Sequence, residues 1–236
     1  DLITSPAYIV IAAGDRFRHP TRGVHELWQT DFTYFRVQGW GWYYLSKVMD
    51  DYSRYILSWK LCTSMKAEDV QDTLDIALER SGQQRVKVLH RPRLLSDNGP
   101  CYVSKQLKEY LHEHGLGHTH GKPYHPTTQG KIERYHRTMK NVVKLDHYYF
   151  PGELEAAIER FVSWYNNERY HESLRNLKPV DVYEGRGREI LSEREKIKRR
   201  TLEERKRKNL RKTGRNRPLQ LTELHLSFQP NLSNKV

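Results

Sequence analysis

The spacing of apolar positions predicts three strands and then a helix in the first part of the chain. The strands are Leu27–Val37, Gly41–Met49 and Arg54–Leu61, each rich in Trp, Tyr, Phe, Thr or Val. Gly39 and Gly41 punctuate the first pair of strands, and Asp50 and Asp51 the second pair, so three consecutive antiparallel strands are expected. Ala67–Arg80 then places its apolar residues on one helical face.

The second part of the chain alternates strands and helices. The predicted elements are, in order, a strand at Val86–Leu95, a helix capped by Ser104 and ended by Gly115, a strand at Leu116–His120, a helix from near Thr128, and a helix at Gly152–Asn167. The buried stripes of the last two helices are predicted at Ile132, Tyr135, Met139 and Val142, and at Leu154, Ala157, Ile158, Phe161 and Trp164. This order of elements indicates an α/β domain.

Three acidic residues stand in distinctive local settings. Asp31 and Asp97 lie at predicted strand ends, in WQTDFTYF and LLSDNGPCYVS, and Glu133 lies in the first turn of a predicted helix. An unpaired carboxylate is costly in an otherwise apolar strand, which favours a functional role for Asp31. Three carboxylates without cysteine or clustered histidine partners are hard ligands that suit Mg²⁺ or Mn²⁺. Because a pair of such ions assists displacement at phosphorus, the residues predict a metal-dependent enzyme acting on phosphodiesters.

Five segments, in this order and with 35 residues between Asp97 and Glu133, carry a family resemblance. They are Trp28–Tyr34 (WQTDFTY), Gly41–Ile56 (GWYYLSKVMDDYSRYI), Leu95–Tyr102 (LSDNGPCY), His125–Lys140 (HPTTQGKIERYHRTMK) and Trp164–Pro179 (WYNNERYHESLRNLKP). Together they resemble the catalytic core of the DDE transposases of bacterial insertion sequences, the branch closest to retroviral integrases.

The resemblance implies a ribonuclease-H-like fold, in which a mixed five-stranded sheet is flanked by helices. The first and fourth strands are neighbours in that fold, so Asp31 and Asp97 are expected to converge and Glu133 to face them. It also implies that these three carboxylates are the catalytic residues and hold two Mg²⁺ or Mn²⁺ ions in each active site. Asp50 and Asp51 are interpreted as turn and structural residues.

Basic and polar residues surround the third carboxylate and are predicted to bind DNA phosphates. They are His125, Gln129, Lys131, Arg137 and Lys140. Lys140 is the strongest candidate, because the family carries a basic residue seven positions after the glutamate. For Asn166, Arg169 and His171, structural packing and DNA contact both stay open.

The net charge of +12 is unevenly placed along the chain. From Arg186 to Arg217 there are 15 Lys and Arg against 5 Glu, a net charge of +10, which leaves about +2 for the rest. A basic extension on a nearly neutral core predicts an anionic partner, and nucleic acid is the usual one. The extension is expected either as a long solvated helix or as a disordered segment that keeps the protein soluble.

The predicted organisation is a linker at 1–23, an integrase-like catalytic core at 24–184 and a basic C-terminal extension at 185–236. Cys62 and Cys101 form neither a disulfide framework nor a metal-binding pair. No signal peptide and no apolar run of about 18 residues is found, so a bacterial cytoplasmic protein, associated with the nucleoid when bound to DNA, is expected.

The function predicted from these observations is metal-dependent DNA cleavage and strand transfer at the ends of a mobile element. The expected partners are double-stranded DNA, as element ends and target, and further copies of the chain in a homodimer or larger assembly. Two alternatives stay open. One is a ribonuclease-H-like nuclease, and the other is a non-catalytic DNA-binding protein derived from a transposase.

Overall fold

The computed structural model describes residues 21–83, 91–121, 130–144 and 146–215, with the side chains of 212–215 left out. The chain divides into two units, Asp1–Gly187 and Arg188–Val236, and each is described by itself. Within the described residues, no helix combines the length and the apolar character needed to cross a membrane.

The first unit is built around a five-stranded mixed sheet. Its strands are β1 (Leu27–Val37), β2 (Gly41–Asp50), β3 (Ile56–Cys62), β4 (Arg93–Ser96) and β5 (Gly117–His120). They lie in the order β3-β2-β1-β4-β5, with β1, β2 and β3 antiparallel and β1, β4 and β5 parallel. The predicted antiparallel trio and the predicted neighbourhood of the first and fourth strands are both confirmed.

Helices cover both faces of this sheet. They are α1 (Ala67–Arg80), α2 (Pro100–Val103), α3 (Lys105–Glu113), α4 (Gly130–Val143), α5 (Pro151–Asn167) and α6 (Pro179–Tyr183). The predicted cap of α3 is present, because the Ser104 hydroxyl accepts a hydrogen bond from the backbone N–H of Leu107 at 3.2 Å. Gly115, just beyond α3, takes φ +65°, a left-handed conformation that glycine adopts without steric cost.

Two separate apolar cores follow from the two-residue period of the strands. Phe35, Leu45 and Met49 point to the face covered by α4 and α5, whereas Trp28 and Val48 point to the face covered by α1 and α3. Burial on both faces explains why β1 begins with four consecutive buried residues before alternation sets in. The predicted α/β class, a mixed five-stranded sheet flanked by helices, is therefore confirmed.

Several local predictions need correction. The fourth strand is short, Arg93–Ser96, and part of the predicted Val86–Leu95 lies outside the described residues. On α4 the buried stripe continues to Val143, while Val142 is 49% exposed, because the helical period of 3.6 residues places 143 rather than 142 in line with 132, 136 and 139. On α5, Trp164 is 38% exposed and lies at the edge of the buried face.

The described part of the second unit lies on one long helix, α7, which begins at Gly187 and is described to Arg215. The basic extension was expected either as a long solvated helix or as a disordered segment, and its described part is a helix. Its basic side chains, including Lys198, Arg199 and Arg200, are exposed.

Candidate active site

Strand register places Asp31 and Asp97 side by side. β1 and β4 run parallel, and their last paired residues are Gln29 and Leu95. Asp31 and Asp97 each follow two positions later, and neighbouring strands are about 4.8 Å apart. Asp97 directly follows the end of β4, as expected, whereas Asp31 lies inside β1 and not at a strand end. Asp31 is on the same face of the sheet as Phe35, which is the face covered by α4. The two predicted carboxylates therefore converge at the carboxyl end of β4.

The backbone around each aspartate is fixed by hydrogen bonds to its own carboxylate. Asp31 Oδ1 accepts from the N–H of Phe32 at 2.8 Å. Asp97 Oδ1 accepts from the N–H of Gly99 at 2.9 Å, which is the turn chemistry expected of an Asp-Asn-Gly sequence. This turn leads directly into α2, so the position of Asp97 is set by both the strand before it and the helix after it.

Glu133 lies in the first turn of α4, where its side chain is exposed. Its charge acts on Asp31. Burial raises the pKa of Asp31, and the negative charges of Asp97 and Glu133 raise this pKa further. The charges of Asp97 and Glu133 thus both act on Asp31, and the joint site of the three carboxylates stays a prediction.

The donor set fits a hard divalent cation, since it consists of carboxylate oxygens that repel one another and that a cation would bring together. Across the part of the chain that the structure describes, no three acidic, histidine or cysteine side chains already stand close enough to hold one ion jointly. Glu133 is the freest of the three, being exposed on the first turn of a helix.

A buried lysine and a histidine stand behind Asp31, and sequence reasoning missed both. Lys47 is the cross-strand partner of Asp31 on β2 and is fully buried. His136 bridges the two, with Nδ1 3.5 Å from Asp31 Oδ2 and Nε2 in contact with Lys47 Nζ. Burial lowers the pKa of Lys47, and the charge of Asp31 opposes that shift. The signal in the sequence was a single lysine inside the apolar run of β2.

Asp50 and Asp51 hold the turn between β2 and β3 together. Asp50 Oδ2 accepts from the backbone N–H and the hydroxyl of Ser53, at 2.8 and 2.6 Å. Asp51 accepts from the Gln29 amide at 2.5 Å and forms an ion pair with Lys131 at 2.5 Å. Both carboxylates are buried and have hydrogen-bond or ion-pair partners within the protein, which agrees with the structural role expected for them.

The predicted DNA-contacting residues are distributed over different surfaces. His125 and Gln129 lie outside the described residues. Lys131 is held by Asp51, on a different side of α4 from Glu133. Arg137 is exposed, and Lys140 Nζ lies 5.3 Å from the centre of the Tyr34 ring.

An exposed aromatic side chain extends this surface. Tyr34 is 50% exposed and is approached by Lys140 and also by Lys144, whose Nζ lies 4.9 Å from the ring centre. Neither Tyr34 nor Lys144 was singled out in the sequence. Their signal was the spacing: Lys140 and Lys144 follow Glu133 by seven and eleven positions. Lys144 directly follows α4 and its N–H still bonds to the carbonyl of Lys140, so the three residues lie near one line.

Asn166 has a structural role. Its side-chain amide accepts from the backbone N–H of Ile56 at 2.9 Å and donates to the carbonyl of Ile56 at 3.1 Å. Since Asn166 is only 4% exposed, it ties the end of α5 to the start of β3. Of the two interpretations left open by the sequence, packing is the one that the structure supports for this residue.

Comparisons with known proteins give one family and relatives that are transposases. Residues 22–126 and 114–179 each match a family described as Integrase core domain. The chain is 30% identical over 176 residues to the transposase for insertion sequence element IS629 of Shigella sonnei. The matched region covers 73% of this chain and 57% of the relative. It is 28% identical over 158 residues to the putative transposase InsK for insertion sequence element IS150 of Escherichia coli, covering 66% of this chain and 54% of the relative.

Solved structures share the fold. The HTLV-2 integrase catalytic core domain in complex with magnesium, in its dimeric form, superposes with a TM-score of 0.52 at 19% identity, covering 68% of this chain and 97% of that one. The catalytic domain of the Mos1 mariner transposase gives a TM-score of 0.52 at 15% identity, covering 59% of this chain and 70% of that one.

The five-stranded mixed sheet and its flanking helices define the class as an α/β domain with an integrase-like, ribonuclease-H-like fold. The chain belongs to the integrase core domain family, and its relatives include transposases of insertion sequences. It spans about half the length of the two curated relatives described above.

Proposed function

We propose that this chain is the catalytic part of an insertion-sequence transposase that cleaves and joins DNA at the ends of a mobile element. The observation that supports the proposal is that Asp97 follows the strand paired with that of Asp31, and that the charges of Asp97 and of Glu133, in the first turn of α4, both act on Asp31. Three carboxylates at one sheet edge are suited to phosphoryl transfer. The assigned catalytic core is 24–184, preceded by a linker at 1–23 and followed by a basic extension at 185–236.

The proposed cofactor is a pair of Mg²⁺ or Mn²⁺ ions held by the same three carboxylates. Burial, and after it the negative charges of Asp97 and Glu133, raise the pKa of Asp31, and a divalent cation bound by the carboxylates would relieve the repulsion. The magnesium named for the HTLV-2 integrase core gives the same indication from a protein of the same fold. When bound, two ions supply activation of the attacking oxygen and stabilisation of the leaving oxygen at phosphorus.

Residues around Asp31 hold its carboxylate in position. The Asp31 carboxylate is held by the N–H of Phe32 and backed by His136 and Lys47, so it is fixed before DNA arrives. Water serves as the nucleophile in cleavage, and a DNA 3′-hydroxyl serves in joining, with in-line attack at phosphorus. No covalent protein–DNA intermediate is required, so no serine or tyrosine is assigned as a nucleophile.

Double-stranded DNA, as element ends and as target, is the proposed partner, and the place of action is the bacterial cytoplasm. Coordinated processing of two ends requires at least two copies of the chain, so a homodimer or a larger homo-oligomer is proposed. The HTLV-2 integrase core, which shares the fold, is described in dimeric and trimeric forms.

The test is an assay of plasmid nicking and of strand joining in Mg²⁺ and in Mn²⁺, using end sequences taken from the DNA that flanks the coding region. Both activities are expected with either ion and neither in EDTA. Nicking without joining would favour the ribonuclease-H-like nuclease, especially if RNA in a hybrid is cut faster. DNA binding without metal-dependent nicking would favour the non-catalytic DNA-binding protein.

Lys140→Ala is expected to weaken both DNA binding and cleavage by roughly tenfold, the loss expected for one charged interaction with a phosphate. Lys140 is two helical turns beyond Glu133, about 10 Å along the axis at about 1.5 Å per residue, which suits a phosphate next to the scissile one. Affinity and cleavage rate measured side by side check this. The free energy of unfolding should change by less than about 0.5 kcal/mol.

Lys105→Ala is the matched control for this prediction, because Lys105 is an 89% exposed lysine on α3 and should leave both quantities unchanged. If Lys140→Ala lowers the melting temperature by several degrees while DNA affinity is unaltered, Lys140 is a structural residue.

Charge removal on α7 is expected to weaken DNA binding and to flatten its dependence on salt. Replacing Lys198, Arg199 and Arg200, which are exposed, by glutamine leaves the helix propensity nearly unchanged. The slope of log affinity against log salt should fall by about 0.9 for each DNA phosphate that these side chains neutralise in the wild-type protein, because fewer counterions are released. An unaltered slope would mean that this part of α7 does not bind DNA.

A further inference from the structure

A second basic site lies beside α4, away from the three carboxylates. It is a cavity of about 200 Å³. Its lining residues come from the β2–β3 turn, α4, the end of α5 and the segment after it, and include Arg54, Lys131, Arg134, Tyr135, Arg169 and His171. Two of the matched sequence segments, those containing Ser53-Arg54 and Arg169-Tyr170-His171, therefore meet at a place that the proposed catalysis does not use.

Helical geometry separates this cavity from the catalytic residues. Glu133, Arg137 and Lys140 lie along one flank of the buried stripe of α4. Lys131, Arg134 and Thr138 lie along the other flank, and all three line the cavity. At about 100° per residue, Arg134 points about 100° away from Glu133, and it lies about 60° from Arg137. The neighbouring residues Tyr135 and His136 show the division: Tyr135 lines the cavity, and His136 contacts Asp31.

The charge of the cavity is positive. Its lining contains Arg54, Lys131, Arg134 and Arg169, and none of the described residues that line it is acidic. Asp51 neutralises Lys131 from outside the lining. Burial and the charges of Arg169, Arg54 and Arg134 lower the pKa of His171 to about 4, so His171 is neutral at pH 7 and adds a ring N–H rather than a charge.

Three buried polar atoms of the lining have no hydrogen-bond partner within the described structure. They are Nη1 of Arg54, the hydroxyl of Tyr135 and Nε2 of His171. Tyr135 is only 1% exposed, so water outside the cavity does not reach its hydroxyl. A buried polar group without a partner costs free energy, and three of them around one positive cavity indicate a ligand with several acceptor oxygens.

We propose that this cavity binds a phosphate group through Arg54, Arg134, Arg169, Tyr135 and His171. A phosphate oxyanion offers acceptors to the guanidinium groups, the Tyr135 hydroxyl and the His171 ring N–H together. The cavity is smaller than the roughly 300–1,000 Å³ of sites for drug-sized ligands, which suits a single phosphate group. The group is either a phosphodiester of the DNA backbone, in which case the inference rests on the proposed function, or free phosphate.

Inorganic phosphate, titrated calorimetrically at constant ionic strength, tests the site without DNA. Arg134→Gln and Arg169→Gln are each expected to weaken phosphate binding by at least about tenfold. Arg160→Gln is the matched control, because Arg160 is an exposed arginine of α5 outside the cavity, and it should bind phosphate like the wild type.

Tyr135→Phe separates a ligand-binding role from a structural one. Its hydroxyl has no partner in the described part of the protein, so removing it should leave thermal stability unchanged or raise it. The same substitution should reduce the rise in melting temperature that phosphate gives the wild-type protein. A less stable Tyr135→Phe protein with undiminished phosphate binding would show that the hydroxyl is structural and would count against the site.

The second experiment measures the binding of duplex DNA by the same variants. If the phosphate belongs to the DNA backbone, Arg134→Gln and Arg169→Gln should lower DNA affinity and reduce the salt slope by about 0.9 each relative to Arg160→Gln. Phosphate binding that depends on these arginines, with DNA affinity like that of the control, would establish a free-phosphate site and overturn the backbone assignment. Absence of phosphate binding, or equal binding by all variants, would overturn the proposal altogether.

The proposed catalytic function is tested separately by the wild-type protein and by Arg160→Gln. If both cut DNA in Mg²⁺ while no variant changes phosphate binding, the cavity proposal fails and the transposase proposal stands. If phosphate binds as expected and neither protein cuts DNA, the transposase proposal fails and the phosphate site stands.

Discussion

Asp97→Asn is expected to abolish metal-dependent DNA cleavage while the protein stays folded and bound to DNA. The substitution removes one negative ligand at nearly constant volume. Metal ions supply several kcal/mol of transition-state stabilisation, so loss of productive metal binding corresponds to a fall in rate of roughly 1,000-fold or more. Plasmid nicking in Mg²⁺ and in Mn²⁺ measures the effect.

The structure explains why Asp97→Asn should not unfold the protein. Oδ1 of Asp97 accepts a hydrogen bond from the backbone N–H of Gly99, and the amide oxygen of asparagine can accept the same hydrogen bond. Asp146→Asn, an identical chemical change at an exposed position, should leave cleavage untouched. Nicking by Asp97→Asn at close to the wild-type rate would remove Asp97 from the active site.

Asn166→Ala is expected to lower the free energy of unfolding by about 2–4 kcal/mol, because it leaves the N–H and the carbonyl of Ile56 buried without partners. Both groups lie where β3 begins, and the substitution removes the two side-chain hydrogen bonds between the end of α5 and the sheet. Urea unfolding monitored by circular dichroism measures the change.

Asn167→Ala, one position further along α5, is the control for this prediction. Its amide donates to the carbonyl of Ser163 at an exposed site, so the expected change is within about 0.5 kcal/mol. Equal stability of the two variants would contradict the structural role of Asn166. A large loss of DNA affinity by Asn166→Ala with unchanged stability would assign Asn166 to DNA binding instead.

Local sequence patterns predicted most of the elements because each depends on short-range physics. Alternation and β-branched or aromatic composition indicated β1 to β3, and the helical period gave α1 with its observed bounds, Ala67–Arg80. Two predictions of buried helix residues were wrong. The stripe of α4 was placed at Val142 although Val143, the next residue, is the buried one, and Trp164 was predicted to be buried although it lies at the rim of the buried face of α5. The short helices α2 and α6 carry too few residues to show a period.

The candidate catalytic carboxylates were visible in the sequence because acidic residues in apolar strands demand an explanation. Family resemblance then implied that Asp31, Asp97 and Glu133 belong together. The resemblance did not reveal that Lys47 and His136 are neighbours of Asp31. Lys47 lies 16 residues from Asp31 along the chain and becomes its direct neighbour only through the antiparallel register of β1 and β2. His136 reaches the pair from α4, 89 residues beyond Lys47.

By itself, the sequence determined the order of strands and helices, the candidate metal ligands and the concentration of positive charge in the C-terminal extension. Each of these is a property of residue type and spacing along the chain. Only the tertiary structure decided how neighbouring residues of α4 are distributed, since the charge of Glu133 acts on Asp31 whereas Arg134 lines the basic cavity. Adjacent residues on a helix point about 100° apart, so the packing of α4 against the sheet, rather than the residue types, assigns each side chain to its site.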